Sequence, residues 1–212
     1  MKTHERLINC GRVLSEKGLV WGHSGNISLK IESNAFLISA GGTDIGQLNE
    51  EDLILCRIDS DEFQGTKRPS METGLHRSIY HVCENCKAII HSQPFYTTMI
   101  ACSDIEIRTD FLPEAMAYLT SVERVSYHHA GSHELAEAAA NKTANNSVLL
   151  LDNHGAICWG NSLEEALLKT ETLEFLCRLL VASNTSNIKF NFLGKEVMED
   201  FHQHLRDIGR SS

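Results

Sequence analysis

No apolar run in the 212 residues approaches the roughly 18 that a membrane span needs, so no transmembrane helix is expected. The first residues, MKTHERLINCGRVLSEKG, lack the apolar core of a signal peptide, and a cytoplasmic protein is expected. Basic residues are scarce: 19 Lys and Arg face 28 Asp and Glu, a formal net charge of −9. A nucleic-acid partner demands a basic face and is not expected here. A single phosphate can still be held locally, by backbone amides and a few cations. Disulfide logic is missing too, because seven scattered cysteines suit reduced thiols better than a paired framework. No linker, repeat or low-complexity stretch breaks the chain, so residues 1–212 are read as one domain.

What remains is an ordinary globular composition, 42% hydrophobic and 22% charged, in a chain long enough to bury a sizeable core. Leu7, Ile8, Val13 and Leu14 among charges predict a first helix over 3–17, ending at Gly18. GHSGNISLK runs from turn into strand, NAFLISAGG is a strand stopping at paired glycines, and DLILCRID is a third. PSMETGLHRSIYHV carries Leu75, Ile79 and Val82 at helical spacing, and KAIIHSQ returns to strand. Two helices, PEAMAYLTS and SHELAEAAANKTA, precede a pair of strands joined at DNHG in SVLLLDNHGAICWG. A long helix begins at Ser162, with Glu165 completing a capping box, and another follows near 195–208. Strands interleaved with helices predict a layered α/β domain.

Chemistry enters where apolar strands end in polar side chains. In AIIHSQ, alternation aims His91 and Gln93 at one side and Ser92 at the other. A metal ion is one explanation and a hydrogen-bond network is another. Glu72 opens a helix, and His154 sits in LLLDNHG, a tripeptide that also serves as a plain tight turn. A divalent ion needs several such groups to converge with a position left open for substrate. The glycines of SGN (24–26) and SAGGT (39–43) let backbone amides approach a ligand, and Ser70 precedes the Glu72 helix, an arrangement that suits phosphate. CENC (83–86) has no second ligand pair at zinc spacing and reads as a turn. The histidines of YHHAGSH alternate faces and read as surface or interface residues. His76, at i+4 from Glu72 without a second His, is not the HExxH pattern and reads as a supporting or packing residue.

Taken in order, WGHSGNIS, FLISAGGTDIGQLNEEDLILCRID, KRPSMETGLHRSIY, AIIHSQPFYTTMIA and VLLLDNHGAICWGNSLEEAL resemble the class II aldolase and adducin head family over residues 5–182. The resemblance implies a three-layer α/β/α sandwich around a mostly antiparallel sheet. It further implies a homotetramer with active sites at subunit interfaces. It implies one divalent ion per subunit, Mn²⁺ or Zn²⁺, with His91, His154 and Glu72 as ligands and Glu72 as catalytic acid/base. Gly25, Asn26, Gly42 and Ser70 fall at the family's phosphate-pocket positions.

Three departures matter. Gln93 stands where the family has a second histidine, and its amide oxygen is a harder, weaker ligand that favours Mn²⁺ relative to an all-His site. Met71 replaces a pocket serine, and SAGG lacks the usual hydroxyl before its last glycine. The family's proton-donating tyrosine from the adjacent subunit has no motif counterpart. The implied activity is cleavage of a ketose 1-phosphate, such as a 5-deoxypentulose 1-phosphate or fuculose 1-phosphate, into dihydroxyacetone phosphate and an aldehyde. The same scaffold also serves pentulose-phosphate 4-epimerases, methylthioribulose-phosphate dehydratases, decarboxylases and non-catalytic adducin-like interaction domains.

Overall fold

A computed structural model describes residues 2–209; Met1 and residues 210–212, the two ends of the expected 1–212 domain, lie outside it. The chain runs α1 (Thr3–Glu16), β1 (Asn26–Glu32), β2 (Ala35–Ser39), β3 (Leu53–Arg57), β4 (Phe63–Gln64) and α2 (Thr73–Val82). It continues with β5 (Ala88–Ser92), α3 (Phe95–Ala101), α4 (Pro113–Tyr118), β6 (Glu123–Val125) and α5 (His133–Ala140). The last third is β7 (Val148–Leu151), β8 (Gly155–Gly160), α6 (Leu163–Ser186) and α7 (Lys195–Asp207). The strands form one eight-stranded sheet in the order β4-β3-β2-β1-β5-β8-β7-β6. Every pairing is antiparallel except the short β6–β7 ladder.

Alternation along each strand divides the core between the two faces of the sheet. Ile38, Ile89, Leu149 and Ile157 point to Leu75, Ile79 and Tyr80 of α2 and to Leu135 and Ala139 of α5. On the opposite face Ile27, Leu37 and Ile90 meet Leu7 and Leu14 of α1, and Leu150 and Cys158 meet Leu173 and Leu176 of α6. The result is a mixed α/β fold with helices on both faces of a mostly antiparallel sheet, three layers as expected. None of the helices among the described residues is long and apolar enough to cross a membrane.

Two local details differ from the sequence reading. The Ser162 hydroxyl caps α6 by accepting from Glu165 N at 3.1 Å, but the reciprocal carboxylate bond goes to Asn161 N at 2.9 Å. The other Glu165 oxygen is drawn to Lys169 Nζ, 2.6 Å away and one turn on. The second difference is α3, where FYTTMIA carried no helix signal. Its exposed first turn is capped from a distance: Glu174 on α6 accepts from Tyr96 N, Thr97 N and the Thr97 hydroxyl at 2.8 to 3.1 Å. CENC is a turn, closed by Cys86 N donating to Cys83 O at 3.1 Å.

Candidate active site

The middle of the sheet brings the separated polar groups together. Asn26 pairs directly with His91 across β1 and β5, so both side chains emerge on the α2 face. Glu72 sits at the first turn of α2 above them. Ser70 shapes that turn, its hydroxyl accepting from Glu72 N at 3.2 Å and its carbonyl accepting from the Thr73 hydroxyl at 2.6 Å. His154 arrives on the β7–β8 turn, where Asn153 takes a left-handed backbone with φ 54°.

That turn can reach β5 because Gly155 follows it. A Cβ at Gly155 would lie 2.5 Å from Ser92 O, so only a glycine lets the two strand ends close. Gly25 plays the same part on the other side: its φ is 79°, and a Cβ there would lie 2.7 Å from His91 O.

Glu72, His91 and His154 consequently place one ligand atom each within 4.8 Å of one another, a grouping of metal-site dimensions among the described residues. His91 Nε2 lies 3.0 Å from Glu72 Oε2 and His154 Nε2 lies 3.3 Å from Glu72 Oε1. The His91 ring is oriented by Nδ1–H, which donates to the Ala156 carbonyl at 2.9 Å and turns Nε2 inward. The two imidazole rings meet edge to face with centroids 4.7 Å apart. Gln93 lies beyond the end of β5, yet its amide nitrogen is 2.8 Å from His91 Nε2.

Burial and charge pull the titratable groups of this cluster in opposite directions. Burial pushes the Glu72 carboxyl up, but the charge and hydrogen bond of His91, then His154 and Asn26, hold it well below the usual carboxylate range. Burial pushes His91 down, and the adjoining Glu72 carboxylate more than reverses this. His154 is lowered by burial and by repulsion from His91. Glu72 Oε1 and Gln93 Oε1 are both buried without a hydrogen-bond partner. Two inward imidazole nitrogens, a carboxylate and an orphaned amide oxygen make a donor set that fits a divalent ion.

The cluster forms one end of a cleft of about 670 Å³, which Gly25, Asn26, Gly42, Ser70, Gln93 and His154 help line. All four expected phosphate positions therefore share one opening with the metal-site candidates. Gly42, like Gly25, has a left-handed backbone (φ 74°), which leaves amides free to face a ligand. The Asn26 side chain is differently employed: it is 4% exposed, donates to Glu72 Oε2 at 2.9 Å and accepts from His76 Nε2 at 2.6 Å.

Sequence reasoning passed over Arg68, which also lines the cleft. Its neighbour Lys67 is paired with Asp52 at 2.6 Å, whereas the Arg68 side chain has no such partner among the described residues. The signal available was a cation two residues before Ser70. Tyr118, by contrast, lines a separate hollow with Asn145 and Lys169. The His129 ring meets the Tyr127 hydroxyl, 3.1 Å from its Nδ1, and takes no part in the cluster.

Similarity to known proteins extends over most of the chain. The family model described as Class II Aldolase and Adducin N-terminal domain matches residues 5–181. A 3-oxo-tetronate 4-phosphate decarboxylase of Haemophilus influenzae is 29% identical over 193 residues, covering 88% of this chain and 90% of its own. An L-fuculose phosphate aldolase of Methanococcus vannielii is 33% identical over 175 residues, covering 82% and 93%. A solved L-fuculose 1-phosphate aldolase superposes with a TM-score of 0.88 at 26% identity, covering 97% of this chain and 98% of that one.

Proposed function

This chain belongs to the Class II Aldolase and Adducin N-terminal domain family, and from that premise we propose that it is a divalent-metal-dependent aldolase. Acting as one domain over 1–212, it cleaves a ketose 1-phosphate, such as a 5-deoxypentulose or fuculose 1-phosphate, into dihydroxyacetone phosphate and an aldehyde. The observation that carries this reading is the convergence of Glu72, His91 and His154 at one end of a cleft whose rest suits a phosphate. The reading includes a homotetramer with sites at subunit interfaces and a cytoplasmic location. Large apolar side chains left exposed, Trp21 at 68%, Met71 at 72% and Phe95 at 67%, support such an assembly.

His91, His154, Glu72 and the Gln93 amide oxygen are the groups that hold the ion, Mn²⁺ or Zn²⁺. Bound there, a divalent ion would supply Lewis acidity toward the substrate's carbonyl group. Glu72 moves the proton at C3 of the three-carbon fragment, using the carboxylate oxygen that has no hydrogen-bond partner. The backbone at Gly25, Asn26 and Gly42, the Ser70 hydroxyl and the Arg68 guanidinium hold the phosphate and so fix the reacting carbons near Glu72.

Decarboxylation is the second reading, favoured by the Haemophilus influenzae relative. Loss of CO₂ next to a carbonyl leaves the same electron pair on carbon as retro-aldol cleavage, so it calls on the same groups. Loss of CO₂ from a 3-oxo-tetronate 4-phosphate also yields dihydroxyacetone phosphate, so deuterium uptake at its C3 in D₂O tests the half-reaction the two share, and CO₂ release separates them. Exchange by the Mn²⁺-loaded protein with no CO₂ release from 3-oxo acid phosphates is the expected result. Absence of exchange from a metal-loaded protein sinks the aldolase reading, and CO₂ release moves the activity to the decarboxylases.

Arg68→Ala tests the phosphate end. A charge-assisted hydrogen bond is worth about 1.5–3 kcal/mol, so KM should rise about 10- to 100-fold with kcat nearly unchanged. An unaltered KM removes Arg68 from the phosphate subsite.

A further inference from the structure

Behind Glu72, four polar side chains stand in file, none more than 4% exposed. The Tyr80 and Ser28 hydroxyl oxygens are 2.8 Å apart, and Ser28 Oγ is 2.7 Å from His76 Nδ1. His76 Nε2 is 2.6 Å from Asn26 Oδ1, and Asn26 Nδ2 is 2.9 Å from Glu72 Oε2. Glu72, His76 and Tyr80 recur every fourth residue and so share a face of α2, while Asn26 and Ser28 share a face of β1. The file is where those two faces touch.

One arrangement of protons satisfies every member. A carboxylate only accepts, so the Asn26 NH₂ must face Glu72 and its oxygen must face His76. His76 then carries its proton on Nε2 and donates it. Burial foremost, then repulsion from His91, pushes the His76 pKa down to about 3, so the ring is neutral and Nδ1 is an acceptor. The Ser28 hydroxyl donates to that nitrogen and accepts from Tyr80. The remaining contact of Tyr80, the Lys87 carbonyl at 3.4 Å, is the longer one.

We infer that His76 is a positioning residue for Glu72: its Nε2–H anchors the Asn26 oxygen, and the amide so fixed holds Glu72 Oε2 and leaves Oε1 for the cleft. Without His76 the Asn26 amide is tied to the carboxylate alone, and the pair is free to swing together. Glu72 would then keep its donor but lose its fixed orientation. The inference rests on the proposed role of Glu72, and it assigns the Asn26 side chain to that carboxylate and not to the phosphate.

The test compares His76→Leu, His76→Gln and Asn26→Asp with the wild type. Three readouts are taken: turnover, competitive inhibition by inorganic phosphate, and Mn²⁺ titration of metal-free protein. For folded His76→Leu, kcat and Mn²⁺ affinity should each fall about 10- to 100-fold, the range for residues that orient a metal ligand, with phosphate inhibition unchanged. His76→Gln should recover most of both, because its amide nitrogen reaches the same Asn26 oxygen.

Wild-type kcat and Mn²⁺ affinity in folded His76→Leu overturn the inference. Should His76→Leu fail to fold, the isosteric Asn26→Asp decides. Lower kcat with unchanged phosphate inhibition upholds the inference, and weakened phosphate inhibition with unchanged kcat overturns it. Should the wild type bind Mn²⁺ but turn nothing over, the proposed reaction fails on its own. The positioning role is then read from Mn²⁺ affinity alone, and equal affinities in wild type and His76→Leu overturn it.

Discussion

Glu72→Gln should lower the rate of carbon–carbon cleavage, and of deuterium exchange into dihydroxyacetone phosphate, by about 10³-fold, within the usual contribution of a positioned acid/base. The substitution keeps the shape of the side chain and removes its charge and basicity. It does so at a buried oxygen that has no hydrogen-bond partner and only His154 Nε2 nearby, at 3.3 Å. His91 also loses the charge that raises its pKa, which leaves both imidazoles neutral and still able to bind a cation. Mn²⁺ affinity should weaken with the loss of that charge, but at saturating Mn²⁺ the variant should still carry the ion on its two imidazoles. Turnover within tenfold of wild type removes Glu72 from the acid/base role. Loss of the metal along with the activity makes it chiefly a ligand.

Removal of the ion should be more severe still. With chelator-stripped protein, exchange should fall to the rate in protein-free buffer, and stoichiometric Mn²⁺ should restore it. In the proposed site His91 and His154 would supply nitrogen and Glu72 and Gln93 oxygen, and oxygen ligands narrow the advantage that zinc enjoys at an all-imidazole site. Gln93→His should therefore tighten Zn²⁺ binding by about tenfold or more, by replacing an amide oxygen with an imidazole nitrogen at the same place. Titration of the stripped proteins with each metal reads this directly. A stripped protein that exchanges at the full rate ends the metal-dependent reading, and equal Zn²⁺ affinity in wild type and Gln93→His removes residue 93 from the ligand set.

Much of this molecule is legible along the chain because its signals are local. Ser162 with its following Glu165 announces α6, the alternating apolar residues of β1 and the apolar runs of β5 and β8 announce strands, and Gly18 closes the turn after α1. The helix α3 was not legible, because the group that caps it, Glu174, lies on α6 and belongs to a segment 77 residues away. The two-residue β4 and three-residue β6 are too short to leave a pattern, and they exist because longer neighbours offer an edge to pair with.

The site divides in the same way. Residue type and position alone single out Glu72, His91 and His154 as candidates, since each interrupts an apolar run or opens a helix. The sequence by itself determined which groups are available and, through the i, i+4 spacing of Glu72 and His76, that those two share a face. Only the tertiary structure decided that three segments spanning residues 72 to 154 bring one ligand atom each within 4.8 Å. It also decided that the Asn26 side chain serves a carboxylate while Arg68 stands unpaired at the cleft. The physical reason is the order of strands in the sheet: pairing β5 between β1 and β8 aligns their ends, and glycines at 25 and 155 let those ends touch.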